Sequence, residues 1–408
     1  MSDVAVPVSR GGGTWQSWVT IVGLVAALAF PLIQSATGQS YLLGQGTGAI
    51  LAAIVVAAAV LASLGPVRSS VGTVLIFAGA AVAGAYGIAT LPAVATLAAT
   101  PTLTTFGLFE ATAGFWALVV VAWVLGWLLV TRLADVRTTT PVAAMILRIA
   151  VPLIFGAWIV FLWEVLVRGF AVPFVILPPP SAVWMRIMPI DPSLWLNDYL
   201  HVDARLWLDF RQTFLKAVLA GYAIGCISGF LVAIVVDRVP FLRRGLLPVG
   251  NLVSALPIIG VAPVMVMWFG FDWQSKAAVV VAMTFFPMLI NTLAGLSASE
   301  DMERALMHTY AANYWQSLIK LRLPAALPFI FNALKINSTL AMIGAIVAEF
   351  FGTPIVGMGF RISTEVGRMN TDMVWAEIAV AALAGSAFYG AVALIERVST
   401  FWHPSFRT

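Results

Sequence analysis

The chain has 408 residues, of which 61% are apolar and only 10% charged, and its mean hydropathy is +0.98. Soluble domains carry about 25% charged residues, so this composition excludes a soluble enzyme, a disordered regulator and a secreted disulfide scaffold. The formal charge of +4 arises from 22 Lys and Arg against 18 Asp and Glu without a basic run, which argues for positive charge held at the cytoplasmic face of a membrane rather than for nucleic-acid binding.

A helix that crosses the bilayer needs about 20 apolar residues. Ten such runs occur in chain order, over 15–34, 47–65, 71–92, 113–131, 148–168, 212–236, 246–268, 277–297, 328–349 and 374–395. None shows the alternation of a barrel strand, so an all-α integral membrane protein of about ten transmembrane helices is expected. The first run has no clear small-residue cleavage site and is read as a retained helix. With the N-terminus inside, thirteen Lys and Arg fall in inner segments and seven in outer ones, the asymmetry expected when both termini are cytoplasmic. The lone cysteine, Cys226, lies within an apolar run and allows no intrachain disulfide.

Texture divides the chain. Residues 1–140 are rich in Ala, Val, Gly and Thr and their four spans are almost free of ionisable groups. Residues 141–408 accumulate Trp, Pro, Met and embedded charge, and the polar stretch Thr131–Pro141 reads as the linker. Function is therefore sought in the second part.

The longest charged inner loop is Ser297–Pro328. Asp301 and Glu303 suit a helix start and Lys320 and Arg322 a helix end, with Ser299 as the expected N-cap. The order predicts a short helix over Asp301–Tyr310, a turn at Ala311-Ala312-Asn313 and a second helix over Tyr314–Leu323. One reading is an ordinary interfacial helix pair. The other is a docking element, with His308, Tyr310, Tyr314 and Trp315 as aromatic anchors of the kind interfaces favour.

Ala311-Ala312-Asn313-Tyr314-Trp315-Gln316 followed by Leu323-Pro324-Ala325-Ala326-Leu327-Pro328 resembles the EAA loop of bacterial ABC-importer permeases. Ile176-Leu177-Pro178-Pro179-Pro180-Ser181-Ala182-Val183-Trp184 is similar to the proline-rich external segment of the nitrate, sulfonate and taurine group of these permeases, and Trp163-Glu164, Leu256-Pro257, Trp268-Phe269-Gly270 and Val347-Ala348-Glu349 stand in the same order. The chain departs from the pattern in the loop: Ala311 stands at the family's glycine and Ala305 at its glutamate, with Glu303 two places early. Alanine is poorly suited to a left-handed turn, so Asn313 is expected to supply that conformation.

The resemblance implies a type I importer core of six helices in residues 141–408, preceded by four extra helices in 1–140. It implies a cytoplasmic ABC ATPase dimer that binds ATP and Mg, a second permease subunit expected to be another copy of this chain, and a periplasmic substrate-binding protein. It assigns ATPase coupling to Asp301, Glu303, Arg304, His308, Tyr310, Ala311 and Asn313. The substrate would be a sulfonate, taurine or nitrate-like anion, or a heterocycle such as a pyrimidine vitamin precursor or riboflavin. The sequence itself contains no G-x-x-x-x-G-K-[ST] phosphate loop, so no nucleotide is expected on this chain in that manner.

Pathway or gate candidates are Pro257, Met265, Trp268, Asn291 and Glu349: a proline break, yielding and aromatic side chains, and polar groups inside spans. Core packing accounts for the apolar ones equally, and interhelical hydrogen bonding accounts for Asn291. The embedded Glu164, Lys216, Lys335, Glu349 and Glu377 are open to ion pairing or to substrate contact. Gly221, Gly225 and Gly229 form one smooth face at four-residue spacing, suited to close helix packing within the core or between subunits. No metal site and no nucleophile–base pair emerges. The rival reading is an ion-gradient-driven secondary transporter, in which the embedded charges would carry coupling ions.

Overall fold

The structure, a computed structural model, describes residues 14–35, 40–41, 109–135, 141–188, 204–254, 257–352 and 356–401. The chain divides into two compact units, residues 1–182 and 183–408. The spans expected over 47–65 and 71–92 lie outside the described residues.

In the first unit, α1 (Thr14–Ala29) stops short of the run expected over 15–34. Pro31 explains the difference, because a proline drives the residue before it out of the helical region. The next residues, Ile33–Ser35, form β1, which pairs antiparallel with β2 (Ser40–Tyr41) and β3 (Phe109–Ala111), placing Ile33 opposite both Tyr41 and Ala111. Helices α2 (Ala113–Asp135) and α3 (Pro141–Gly169) follow. Phe115, Leu118, Val119 and Ala122 of α2 close on Ala27, Leu32 and Val165. The embedded acid Glu164 is paired with Arg168 one turn later. Its carboxylate also accepts from the Ser181 amide at 2.9 Å and from the Ser181 hydroxyl at 2.8 Å.

Every regular element among the described residues of the second unit is helical. Helix α4 (Pro180–Ile187) leads into it from the first unit. Helix α5 (Ala204–Phe210) passes through a π-helical turn, Arg211–Val218, into α6 (Leu219–Arg238). The apolar run expected as one span over 246–268 is divided into α7 (Pro240–Ser254) and α8 (Ile258–Phe269). Pro257 caps the start of α8 in an extended conformation, φ −66° and ψ 114°; its fixed ring and missing amide hydrogen disfavour a continuous helix at this point. Then come α9 (Trp273–Ser297), α10 (Asp301–Thr309), α11 (Tyr314–Ser317), a second π turn (Leu318–Arg322), α12 (Leu323–Gly352), α13 (Met358–Gly367) and α14 (Thr371–Ser399).

Helices α6, α9 and α12 form the centre. The three glycines at four-residue spacing let α6 lie backbone-close on α9, running in the same sense. A Cβ on Gly221 would stand 2.6 Å from Val280 Cβ, one on Gly229 2.6 Å from Phe285 O, and one on Gly225 would strike Thr284 Oγ1. Helix α12 returns in the opposite sense. Buried Asn337 joins all three helices, since its Nδ2 donates to Thr284 O at 2.8 Å and reaches Cys226 Sγ at 3.2 Å. Helix α14 packs on α12 through Met342 and Ala381, and Lys335 pairs with Glu396 at 2.7 Å near their lower ends.

Among the described residues, five helices are long and apolar enough to cross a membrane: Ala144–Gly169, Arg205–Arg238, Trp273–Ser297, Tyr314–Phe351 and Thr371–Ser399. Several of their large apolar side chains, including Leu153, Ile227, Leu231, Leu383 and Leu394, are more than half exposed. In water that would be costly; in hydrocarbon it is the expected outer surface.

Candidate functional site

Two polar constellations lie at opposite ends of the central helices. The 26 residues of α12 between Leu323 and Glu349 separate them by about 40 Å at the helical rise.

The first is the loop after α9. Helix α10 begins at Glu300 rather than at the expected Ser299: Glu300 and Glu303 form a capping box, and the Glu303 carboxylate accepts from the Glu300 amide at 3.1 Å. The Ser299 hydroxyl instead accepts from Arg304 Nε at 2.8 Å, while Arg304 Nη2 donates to Ser297 O at 2.7 Å. Arg304 thus folds back onto the end of α9, where a guanidinium satisfies a terminal carbonyl and suits the dipole. Asp301 lies exposed in the first turn and His308 in the last.

Helix α10 ends in a Schellman motif. The Ala312 amide donates to Met307 O at 3.0 Å and the Ala311 amide to His308 O at 2.9 Å. The left-handed residue is Ala311 itself, at φ +51°. Asn313, expected to supply that conformation, has φ −75° and caps α11, exchanging hydrogen bonds of 2.9 Å with Gln316 in a second capping box. Left-handed backbone costs a non-glycine residue about 1–2 kcal/mol. The substitution Ala311→Gly is therefore expected to stabilise the protein by about 0.5–1 kcal/mol after glycine's extra unfolded-state freedom is subtracted. Thermal unfolding of the purified protein measures this, and a lowered midpoint would contradict it.

The second loop helix does not end at Leu323. It runs through the π turn into α12, where the Leu323 amide donates five residues back to Leu318 O. The wider turn lies where the Pro324 ring would crowd the preceding carbonyls of a regular helix. The turn is clamped from outside. Arg322 binds Asp237 at the end of α6 with both terminal nitrogens, each at 2.7 Å, and its Nε donates to Leu296 O of α9 at 3.0 Å. The Tyr314 hydroxyl donates to Asp237 Oδ2 at 3.1 Å, and Arg238 lies 5.2 Å over the Tyr314 ring. Nothing on α10 is buried. Met302, Leu306 and Tyr310, at successive four-residue steps, are 81%, 56% and 77% exposed.

The second constellation is a buried hub. Glu349, 2% exposed, accepts from the Thr213 hydroxyl at 2.7 and 2.9 Å and from the Gly359 amide at 2.8 Å. Thr213 in turn accepts from the Met358 amide at 2.9 Å. Asp209 accepts from the Gly357 amide at 2.7 Å and from Arg361 Nε at 2.8 Å. Burial works to lower the Arg361 guanidinium, yet the hydrogen bond and charge of Asp209 carry it above its ordinary value. Lys276 caps Phe271 O at 2.6 Å and Asp272 O at 3.2 Å. Glu377 is fully buried, and neither carboxyl oxygen has a hydrogen-bond partner among the described residues.

The remaining gate candidates are scattered. Met265 packs with Ile258 on Ala262, Val279 and Ala348, whereas Trp268 is 66% exposed. Asn291 donates within its own helix to Pro287 O at 2.8 Å. Lys216 donates to Gln212 Oε1 at 2.9 Å. Sequence reasoning passed over Asp237, Asp209, Thr213 and the Gly357-Met358-Gly359 segment. Asp237, a lone acid closing an apolar run, was the available signal.

A bundle of long helices with exposed apolar faces, and a helix with exposed apolar and aromatic side chains beyond one end, fits a protein embedded in a membrane. Comparison with known sequences agrees. Residues 221–399 match the binding-protein-dependent transport system inner membrane component family. The chain is 28% identical to the formylaminopyrimidine transport permease protein ThiX of Halalkalibacterium halodurans over 251 residues, which are 62% of this chain and 95% of that protein. It is 29% identical to the riboflavin transport system permease protein RibX of Chloroflexus aurantiacus over 60% of this chain and 86% of that protein. With the taurine transport system permease protein TauC of Escherichia coli it shares 28% identity over 56% of this chain and 80% of that protein. Residues 221–399 thus match the binding-protein-dependent permease family, and the comparisons fit a permease subunit of the ABC-importer class. It is a multi-pass inner-membrane component whose family works with an ABC ATPase and a substrate-binding protein.

Proposed function

We propose that α10 and the Ala311–Asn313 turn dock into a groove of a cytoplasmic ABC ATPase dimer and pass its closure to the translocation pathway. The observation that carries this reading is the exposed stripe Met302, Leu306 and Tyr310 on a helix that buries none of its own residues. Amphipathic helices bind grooves through anchors at this spacing. Arg304 and Arg322 give the helix a rigid footing on α9 and α6, so a push on α10 moves whole helices rather than a loop. His308 and Asp301 lie at the two ends of the exposed helix, and Asn313 holds the far turn through its cap.

In the same reading ATP and Mg sit on the partner ATPase, this chain hydrolyses nothing, the loop and both termini face the cytoplasm, and two copies of this chain form the pathway. Residues 141–408 are the permease core and 1–140 an appended membrane region. The 251 residues matching ThiX account for 95% of that protein, which leaves the remainder of this chain without a counterpart in it. The substrate is a small solute of the kind its relatives carry: a sulfonate or taurine, or a heterocyclic vitamin precursor. Embedded Lys335 and Glu396 are paired with each other, and Glu349 is held by Thr213 and Gly359, which favours ATP-driven over ion-coupled transport. Tyr310→Asp tests the docking reading. It is expected to weaken ATPase co-purification about 30-fold, as loss of a hot-spot anchor does, with unchanged membrane insertion and melting. Undiminished ATPase stimulation in this variant would refute the assignment.

A further inference from the structure

Helix α7 lies outside the coupling loop. Its Leu242 and Leu246 pack on Ala233, Val236, Leu289 and Leu293. Arg243 and Arg244 are exposed, as is Arg238 at the end of α6, and Phe241 among them is 82% exposed. Arg243 donates to Ser297 Oγ at 3.0 Å and Arg238 lies over the Tyr314 ring. Among the described residues none of the three arginines forms a salt bridge. Asp237, the adjacent acid, is taken by Arg322.

Position selects the occupant. The apolar span Arg205–Arg238 ends where α7 begins, so the arginines stand at the boundary between hydrocarbon and water. A helix anchored on its apolar side, with exposed basic groups that have no acidic partner among the described residues and one exposed aromatic ring at that boundary, fits a negatively charged lipid surface. Guanidinium pairs phosphate through its planar fork. We propose that Arg238, Arg243, Arg244 and Phe241 form a binding site for the phosphate headgroup of an anionic phospholipid in the inner leaflet. Phe241 seats at the level of the upper acyl chains while the arginines hold the headgroup. The leaflet rests on the cytoplasmic orientation proposed above.

Native mass spectrometry of the purified permease, counting retained phosphatidylglycerol against phosphatidylcholine, tests the site. Each juxtamembrane basic group contributes about fivefold to binding of anionic lipid, so R243Q/R244Q is expected to lower phosphatidylglycerol retention about 30-fold. R244Q alone, which removes no contact within the protein, should lower it about fivefold. R243K/R244K should retain most of it, showing that a change of side chain does not unfold the site. Equal retention by wild type and R243Q/R244Q, or equal retention of the two lipids by wild type, would overturn the inference. So would loss of a bound protein subunit with unchanged lipid, which would make α7 a protein-docking face. Lipid is counted on the permease mass itself, so the outcome does not depend on whether the coupling loop holds an ATPase. The leaflet is read separately with Gly245→Cys, where an added Cβ meets nothing within 4 Å. Protection from an impermeant maleimide in intact spheroplasts is expected, and labelling would overturn the inner-leaflet placement alone.

Discussion

Replacing Asp237 with alanine is expected to destabilise the protein by about 3 kcal/mol, the cost of stranding one partner of a buried ion pair. It should also uncouple ATP hydrolysis from transport. Asp237 is 3% exposed and Arg322 16% exposed at the side chain, so water cannot fully replace the lost carboxylate. Three contacts fail together: both Arg322 nitrogens and the Tyr314 hydroxyl. Arg322 would keep only Leu296 O, and α6 would no longer be tied to the turn that carries α10. The expected signature is a tenfold or greater fall in substrate uptake per ATP hydrolysed, with the complex still assembled. Arg322→Gln should produce the same phenotype, and D237A/R322Q should be little worse than either single variant, because one interaction is removed once. An Asp237→Ala protein with wild-type melting and wild-type uptake would show that the clamp does not hold the loop.

Much of the second unit was legible because hydrocarbon permits few solutions. Runs over 277–297 and 374–395 lie within α9 and α14, which extend each by about a turn, α9 continuing through Pro287. The loop helix over Asp301–Tyr310 was equally readable from its acidic start, Asp301 and Glu303. Failures came where a local rule had two answers. Pro257 inside an apolar run is compatible with a kinked or a divided helix, and packing of α8 on α9 and α12 chose division. Asn313 and Ala311 are both permissible sites for a left-handed residue. The capping box with Gln316 claimed Asn313 and left the strained conformation to alanine. The second loop helix, expected to end at Leu323, instead continues past Pro324 and Pro328 because a π turn lets the first proline in.

The site residues were less legible for a physical reason. Sequence marks a group as expensive to bury, as it marked Glu349, but the partners that make burial tolerable come from elements far apart in the chain: Thr213 lies 136 residues from Glu349. The same holds at the other end, where Asp237 and Arg322 are 85 residues apart. Spacing within one element cannot disclose such pairs. The two constellations also share a logic. Each fixes an end of α12 to the entering or leaving end of α6 through a carboxylate, Asp237 below and Glu349 above through Thr213. In the coupling proposed above, a movement started at α10 would be delivered to the far end of α12 through these two fixing points.

That logic gives Glu349 a positioning role which separates its variants. Glu349→Ala leaves the Gly359 amide and Thr213 hydroxyl buried without an acceptor. Since an orphaned buried group costs about 1–3 kcal/mol, the expected loss is about 3 kcal/mol. Gly357→Ala should resemble it: the position has φ +146° and an added Cβ would stand 2.7 Å from the Glu349 carboxyl carbon. Glu349→Gln keeps shape and one acceptor oxygen, so it is expected to lower melting only slightly and to retain most uptake. Transport and thermal unfolding measured on the three variants in parallel give the ordering. If Glu349→Gln abolished uptake while leaving the melting temperature unchanged, the negative charge itself would act in transport. Glu349 would then be a pathway residue rather than the upper fixing point of α12. The expected result is the reverse, with uptake following stability across all three.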